Sequence, residues 1–433
     1  MSPAPSLPRT ASGRSGPRPR NSASWSSCIP ARAGGPATLR APSGAARGGQ
    51  RRFTVDIHCH LFTPEADALT RPHFRPEAEP FQSFASDATR EVNRRQDERI
   101  REKLTSPEAR LAEMDRQGID IQAISATPMQ YYYWTEPEIG RAAARLINDR
   151  IAEVVGQHPD RFVGLATVPL QAPEFAVAEL ERAVGELGMR GVEINTHVAG
   201  AELAEDRFRP FWAKAEELGI LVFLHPGGAT DGRRLAEHYF VNVIGNPLES
   251  TVAVSHLIFG GVLDAHPRLK LCVAHGGGFL ASYPGRMDHA HAAREDCRTR
   301  IRRKPSTYLK RLYFDTIVFE PEQLEHLVRL YGSDHLLLGT DYPYDMGEAD
   351  PLGFIDRAGR LTREDRAKIA GLNAARLLKL RPPRAAKAPA ASRKPVAARK
   401  PGRPAVRRKA TAGRAANNRT PGVKTPPGRR GGK

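Results

Sequence analysis

From Phe53 to Asp341, short apolar runs alternate with longer stretches in which apolar residues recur every three or four positions. The runs fall at 53–58 (FTVDIH), 119–125 (IDIQAIS), 162–168 (FVGLATV), 191–195 (GVEIN), 220–225 (ILVFLH), 269–275 (LKLCVAH), 312–317 (LYFDTI) and 335–341 (HLLLGTD). Each has the length of a strand buried on both faces. The intervening stretches PEIGRAAARLINDRIAEVVGQ, PEFAVAELERAVGELG and PEQLEHLVRLYG carry helical periodicity, and each opens on a Pro that suits the first helical turn. Eight such alternations predict a closed parallel (β/α)8 TIM-like barrel over residues 53–380. Parallel neighbours need crossover helices, and those helices must cover the sheet. An open doubly wound sheet is the alternative arrangement of the same units.

Two regions break the repeat. Residues 61–105 put a polar, Arg-rich segment between the first and second runs, too long for an ordinary connection, which predicts a lid or small insertion over the barrel mouth. The ends have a different texture. Residues 1–52 are rich in Arg, Ser and Pro, and residues 381–433 repeat Lys, Arg, Ala, Pro and Gly, so neither can bury enough apolar area to offset chain entropy; both are expected to be disordered. They also carry the charge. The formal net charge is +18, with nine Arg and no acid in residues 1–55 and 17 Lys plus Arg and no acid in residues 381–433, which leaves 40 basic against 48 acidic residues between them, a net of −8. An acidic core thus bears two cationic extensions.

Four cysteines, Cys28, Cys59, Cys272 and Cys297, make no disulfide framework in so long a chain, which points to an intracellular, cytoplasmic protein. No apolar run approaches the roughly 18 residues that cross a bilayer. The first 55 residues lack the apolar segment of a secretory signal. Their Arg and Ser content fits a transit peptide as a second reading, but Pro and Gly interrupt every stretch that could become an amphipathic helix.

Candidate chemistry collects at predicted strand ends, where a barrel builds its active site. Asp56-Ile57-His58-Cys59-His60 closes the first run, and residues two apart in an extended chain face one side, so His58 and His60 can address one ion. His225 ends the fifth run before Pro226-Gly227-Gly228, His275 ends the sixth before Gly276-Gly277-Gly278, and Asp341 ends the eighth within Gly339-Thr340-Asp341-Tyr342-Pro343. One such His is most often a satisfied surface residue. Five metal-type residues converging on one face predict a metal site. Cys59 alternates away from the His pair and reads as packing.

The order HxH, HPGG, HGGG, GTDYP resembles the amidohydrolase superfamily, and within it the metal-dependent nonoxidative decarboxylases of the aminocarboxymuconate-semialdehyde type. RFVGLATVPLQAPE, GGVLDAHPRLKLCVAHGGG and LLLGTDYPYDMGE are family-like throughout, and the similarity runs from about Val55 to Leu380. The resemblance implies that His58, His60, His225 and Asp341 hold one divalent metal, typically Zn, and that His275 activates a water molecule on it. Binuclear members carry a bridging, carbamylated Lys near the end of the fourth strand. Here Gly191-Val192-Glu193-Ile194-Asn195-Thr196-His197 has none, which favours one ion. The resemblance also implies a homodimer in which Arg286, eleven residues beyond His275, reaches the neighbouring subunit's site and grips substrate carboxylate, a role suited to a forked guanidinium. A second carboxylate-binding Arg maps to the segment before the second strand, with Arg99 the nearest of Arg94, Arg95, Arg99 and Arg101. His197 matches a family His that lines the pocket or supports it. One departure stands out: the family's HPWD appears here as His225-Pro226-Gly227-Gly228, which removes an indole that Tyr131-Tyr132-Tyr133-Trp134 could replace.

The expected activity is therefore decarboxylation of an unsaturated or aromatic carboxylic acid. Hydrolysis of a lactone, ester or amide on the same ligands is the alternative. A third reading, of another class, makes the protein a nucleic-acid binder with a vestigial barrel, because 17 cationic residues can bind DNA through counterion release without reading sequence. The complete ligand set argues for an enzyme.

Overall fold

The computed structural model describes residues 52–79 and 83–382. The basic extensions therefore lie outside the described residues, save for Arg52, Arg381 and Pro382. Eight strands form one parallel sheet in sequential order: β1 (Val55–Leu61), β2 (Ile121–Ala126), β3 (Phe162–Ala166), β4 (Gly191–Ile194), β5 (Leu221–Leu224), β6 (Lys270–Val273), β7 (Tyr313–Asp315) and β8 (Leu336–Leu337). The sheet closes on itself. Ile57 N–H donates to Leu338 O at 3.0 Å, Asp341 N–H to His58 O at 2.8 Å and His60 N–H to Tyr342 O at 2.9 Å, so the chain beyond β8 pairs with β1. This is the predicted barrel, and the open sheet is excluded.

The helices follow from the sequence pattern. Pro137–Gln157, Pro173–Gly185 and Pro321–Tyr331 each begin on the expected Pro, whose missing N–H is one the first helical turn would leave unpaired anyway. Their apolar faces pack on the outside of the sheet around Ile147, Ile151, Leu180 and Leu327. A second core fills the lumen: Val55, Ile57, Val163, Leu165, Leu221, Phe223, Cys272 and Leu337 interlock there, and Ala374 and Leu377 of the last helix close the bottom. With apolar side chains filling one end of the barrel, the polar positions are left to the other, at the strands' C-terminal ends. Truncating a fully buried ring such as Phe223 would cost about 3–5 kcal/mol.

Residues 61–79 and 83–105 form the predicted cover. A short helix, Pro64–Thr70, is followed by 3₁₀ turns and a long polar helix, Asp87–Thr105, started by the Ser86 side chain accepting from Thr89 N–H. Ser106 ends that helix and caps the next, Pro107–Gln117, so the chain turns sharply there and enters β2. Among the described residues, no helix is long and apolar enough to cross a membrane.

Candidate metal centre and active site

β1 carries the first two ligands inside the strand instead of at its end, one strand turn further in than the polar residues suggest. The pairing of β1 with β2 slips between Asp56 and Cys59, an extra residue on β1. That bulge changes the phase of the strand: Ile57 lies in the lumen, and His58 follows it inward against Phe223, with ring centroids 5.1 Å apart. His60 keeps the same face two residues on, while Cys59 turns outward to the helix layer, its thiol donating to Ala123 O at 3.4 Å. Cys59 is packing, as expected.

His225 continues β5, its backbone held by Ile194 O. His275 and Asp341 sit at the tops of β6 and β8 in left-handed backbone conformations, φ +56° and +55°, which aim both side chains into the mouth. Three glycines make the first of these turns possible. Gly276, Gly277 and Gly278 all have positive φ, and a Cβ on them would meet Val318 Cγ1 at 2.3 Å, Phe314 Cδ1 at 2.6 Å and Pro247 O at 2.2 Å. No other residue fits there.

His58, His60, His225 and Asp341 place one donor atom each within 4.8 Å of the others, all four residues buried. Two tests show that the donors fit a cation. First, the ring nitrogens are sorted. His58 Nδ1–H donates to Asp315 Oδ2 at 2.6 Å and His60 Nδ1–H donates to Ala126 O at 3.1 Å, which leaves both Nε2 atoms as lone-pair donors turned toward Asp341 Oδ1 at 3.3 and 3.2 Å. Both Nε2 atoms and both nitrogens of His225 are buried without a hydrogen-bond partner. Buried polar atoms without partners are costly, so their convergence marks a place for an ion. Second, the electrostatics call for positive charge. Burial opposes the Asp341 carboxylate, yet His58 and His60 beside it hold its pKa well below the usual range. Burial likewise opposes the His58 imidazolium, yet Asp341 and Asp315 on either side hold it well above. A divalent cation would take the place of that shared proton.

His275 belongs with these residues but differs from them. Its Nε2 lies 3.9 Å from Asp341 Oδ2, and burial followed by the charge of His58 pushes its pKa down, so it is neutral near pH 7. Behind the ligands stand residues that the sequence reading passed over. Asp315 grips His58 and also accepts from Gly276 N–H at 2.8 Å, tying β7 to a ligand and to the His275 turn. Asp56 accepts from His58 N–H at 3.1 Å, from Thr340 N–H at 3.0 Å, from Thr340 Oγ1 at 2.7 Å and from Gln122 Nε2 at 2.9 Å; burial nevertheless raises its pKa to about 6. Glu193, fully buried on β4, accepts from Tyr131 O–H at 2.6 Å. Asp315 was the most findable of these, since it lies within the seventh run, where it ends β7.

A cavity of about 380 Å³ opens over the ligands. His225, His275 and Asp341 form its floor, Tyr239, Asn242, Asn246 and Tyr344 its sides, and Arg90, Asn93, Arg94 and Asp97 of the Asp87–Thr105 helix its roof. The other proposed substrate contacts are not at this cavity. Arg99 is exposed and is not among the residues that line it, and the roof's cavity-lining arginines are Arg90 and Arg94. Arg286 is exposed on the helix Pro284–Ala293. His197 lies in a small hairpin, with its Nδ1 accepting from Gly200 N–H at 3.1 Å, and lines no part of the cavity. Nor do the aromatics replace a lost indole: Tyr131, Tyr132 and Tyr133 are buried behind the site, and Trp134 donates to Glu79 instead.

The pattern that defines the Amidohydrolase family matches residues 55–380, and the chain belongs to that family. It is similar to 2-amino-3-carboxymuconate-6-semialdehyde decarboxylase of Dictyostelium discoideum, 35% identical over 64% of this chain and 77% of the relative. Its fold matches 5-carboxyvanillate decarboxylase of Sphingomonas paucimobilis with a TM-score of 0.69, 27% identity and coverage of 76% of this chain and 99% of that one. It also matches a dihydroxybenzoic acid decarboxylase of Polaromonas with bound manganese and the inhibitor 2-nitroresorcinol, with a TM-score of 0.64, 26% identity and coverage of 76% and 97%. The chain is an enzyme of the amidohydrolase superfamily, of the nonoxidative decarboxylase type that these relatives represent, as its motifs implied.

Proposed function

We propose that the protein removes CO2 from an aromatic or otherwise unsaturated carboxylic acid, using a single divalent metal ion. The observation that carries this is the convergence of four metal-type donors and a neutral His275 on the floor of one covered cavity. The ion, held by His58, His60, His225 and Asp341, would supply Lewis acidity that draws electron density from the carbon bearing the carboxyl group. The side chains do the rest. The cavity walls orient the ring, and the roof helix limits water. When the carbon–carboxyl bond breaks, its electron pair stays on the ring carbon and CO2 leaves. His275, neutral at rest, takes up a proton from solvent through its 14% exposed side chain, delivers it to that carbon and returns to its neutral form. Three imidazoles and a carboxylate suit zinc, the ion we expect, and manganese in the Polaromonas relative is the competitor. Hydrolysis of a lactone, ester or amide needs the same ligands; the named decarboxylases among the relatives support the lyase reading.

Arg286 is retained in this proposal as a substrate-binding residue that works across a homodimer interface, consistent with its exposure outside its own subunit's cavity. The chain acts in the cytoplasm, and its basic extensions attract nucleic acid without sequence preference. Supplying the metal-loaded protein with hydroxybenzoate and carboxymuconate acids and measuring CO2 against ring opening tests the reaction. His60→Ala and Asp341→Ala should lose metal and turnover together by elemental analysis. His275→Ala should keep its metal and lose about 10²- to 10⁴-fold in kcat. Full metal content in a His60→Ala/Asp341→Ala double variant would overturn the ligand assignment.

A further inference from the structure

The roof of the cavity has a polarity that the metal chemistry does not explain. Arg90, Asn93, Arg94 and Asp97 recur at helical spacing and form one stripe of the Asp87–Thr105 helix over the metal ligands. An anionic substrate would be expected to meet cations there, but Arg94 is already engaged. Its Nε and Nη2 donate to the two oxygens of Glu91 at 2.9 Å each, and Nη1 donates to Glu98 Oε1 at 2.6 Å. The fork that would grip a carboxylate is filled twice over, and Glu91 is shared with Arg95 at 3.4 Å.

Asp97, by contrast, makes no ion pair among the described residues. It is exposed, and Arg101 acts on it only at range. A helix neighbour fixes its place: Gln96 is buried and accepts from Asp345 N–H at 2.8 Å, which pins this turn of the helix to the loop that follows Asp341. Asp97 therefore lines the cavity as part of its roof, one helical turn beyond Asn93.

We infer that Asp97 is a specificity-determining residue, which selects substrates bearing a hydrogen-bond donor, a hydroxyl or amino group, on the ring edge remote from the carboxyl group, and rejects a second carboxylate there. The inference rests on the proposed decarboxylase reading and names the substrate class within it: monocarboxylic ring acids with a distal hydroxyl or amino group, not dicarboxylates. A donor to an ionised acceptor forms a stronger hydrogen bond than one between neutral groups, and two carboxylates facing each other repel.

Four probes that share an adjacent carboxylate and hydroxyl and differ only opposite the carboxyl group test this: 2-hydroxybenzoate, 2,4-dihydroxybenzoate, 4-amino-2-hydroxybenzoate and 2-hydroxybenzene-1,4-dicarboxylate. Calorimetric Kd values for the metal-loaded full-length protein should be at least about tenfold tighter for the hydroxyl and amino probes than for the unsubstituted one, and weakest for the dicarboxylate. Asp97→Asn should narrow the gap, and Asp97→Lys should reverse it so that the dicarboxylate binds best. Because binding is read apart from turnover, the two readings fail separately. Tight, discriminating binding without CO2 release would defeat the reaction and leave the selector standing. Equal binding of all four probes, or an order unchanged in both variants, overturns the role of Asp97, and no binding of any probe overturns it together with the substrate class.

Discussion

Glu79 shows how one buried group sets a pH dependence away from the metal. Its carboxylate accepts from Trp134 Nε1–H at 2.6 Å, but burial outweighs that bond and raises its pKa to about 7 from 4.5. A carboxyl group that holds its proton more tightly in the folded chain favours folding fully below the unfolded value. That contribution is lost as pH rises from 4.5 toward 7, over a span worth on the order of 3 kcal/mol. Glu79→Gln keeps an acceptor for Trp134 and has no proton to lose. Its denaturation midpoint should match the parent near pH 4 and exceed it near pH 8; parallel pH profiles for the two proteins would show that Glu79 does not titrate this way. At the same scale, the ligand histidines were legible because their residue type coincides with positions in or directly after an apolar run. Asp315 and Asp56 were not, because their importance lies in what they touch. A carboxylate that holds a ligand's other nitrogen shows itself only when strands far apart in the chain are brought side by side.

At the scale of elements, the helix Asp87–Thr105 is a cover built from a polar sequence. Its mean composition gives little reason to pack, and Gln96, Ile100 and Leu104 are its few buried anchors apart from Thr89. Gln96→Ala would leave Asp345 N–H without its acceptor and loosen the roof over the cavity. Its loss should raise KM about fivefold, the equivalent of about 1 kcal/mol, with kcat within about twofold of the parent. A fall in kcat at constant KM would place the helix in the chemical step instead. The cover was predicted from the length of residues 61–105, but which arginines line the cavity was not. Arg94 lines the roof and Arg99 does not because helical phase, and not proximity in the alignment, decides which residues reach the cavity. The bulge in β1 was invisible for a similar reason: His58 and Ile57 share the lumen only because the pairing register slips.

Two predictions concern the whole molecule. If Arg286 serves the neighbouring subunit, mixing inactive Arg286→Ala and His275→Ala chains under conditions that exchange subunits should restore part of the turnover. One site in each mixed dimer is then intact, and no recovery after proven exchange places Arg286 elsewhere. The extensions should govern nonspecific association. A fragment of residues 53–380 has a net charge of −8 against +18 for the full chain, so duplex DNA should bind the full chain with affinity that falls steeply as salt rises, and should not bind the fragment. Turnover should be equal in the two. DNA binding by the fragment would assign that property to the barrel.

The sequence alone determined the eightfold alternation, the positions of the Pro-started helices, the separation of acidic core from basic ends, and the identities of His58, His60, His225, His275 and Asp341 as candidate chemistry. These are readable because periodicity and residue type are local properties, and a barrel places every strand end at the same mouth. Only the tertiary structure decided that the sheet closes, that Asp315 and Ala126 sort the ring nitrogens of His58 and His60, that His197 and the Tyr131–Tyr133 aromatics stand away from the cavity, and that Asp97 lines that cavity without an ion pair among the described residues. Each of these depends on distances between residues tens to hundreds of positions apart, which pairing register and helical phase set together and which no stretch of sequence contains.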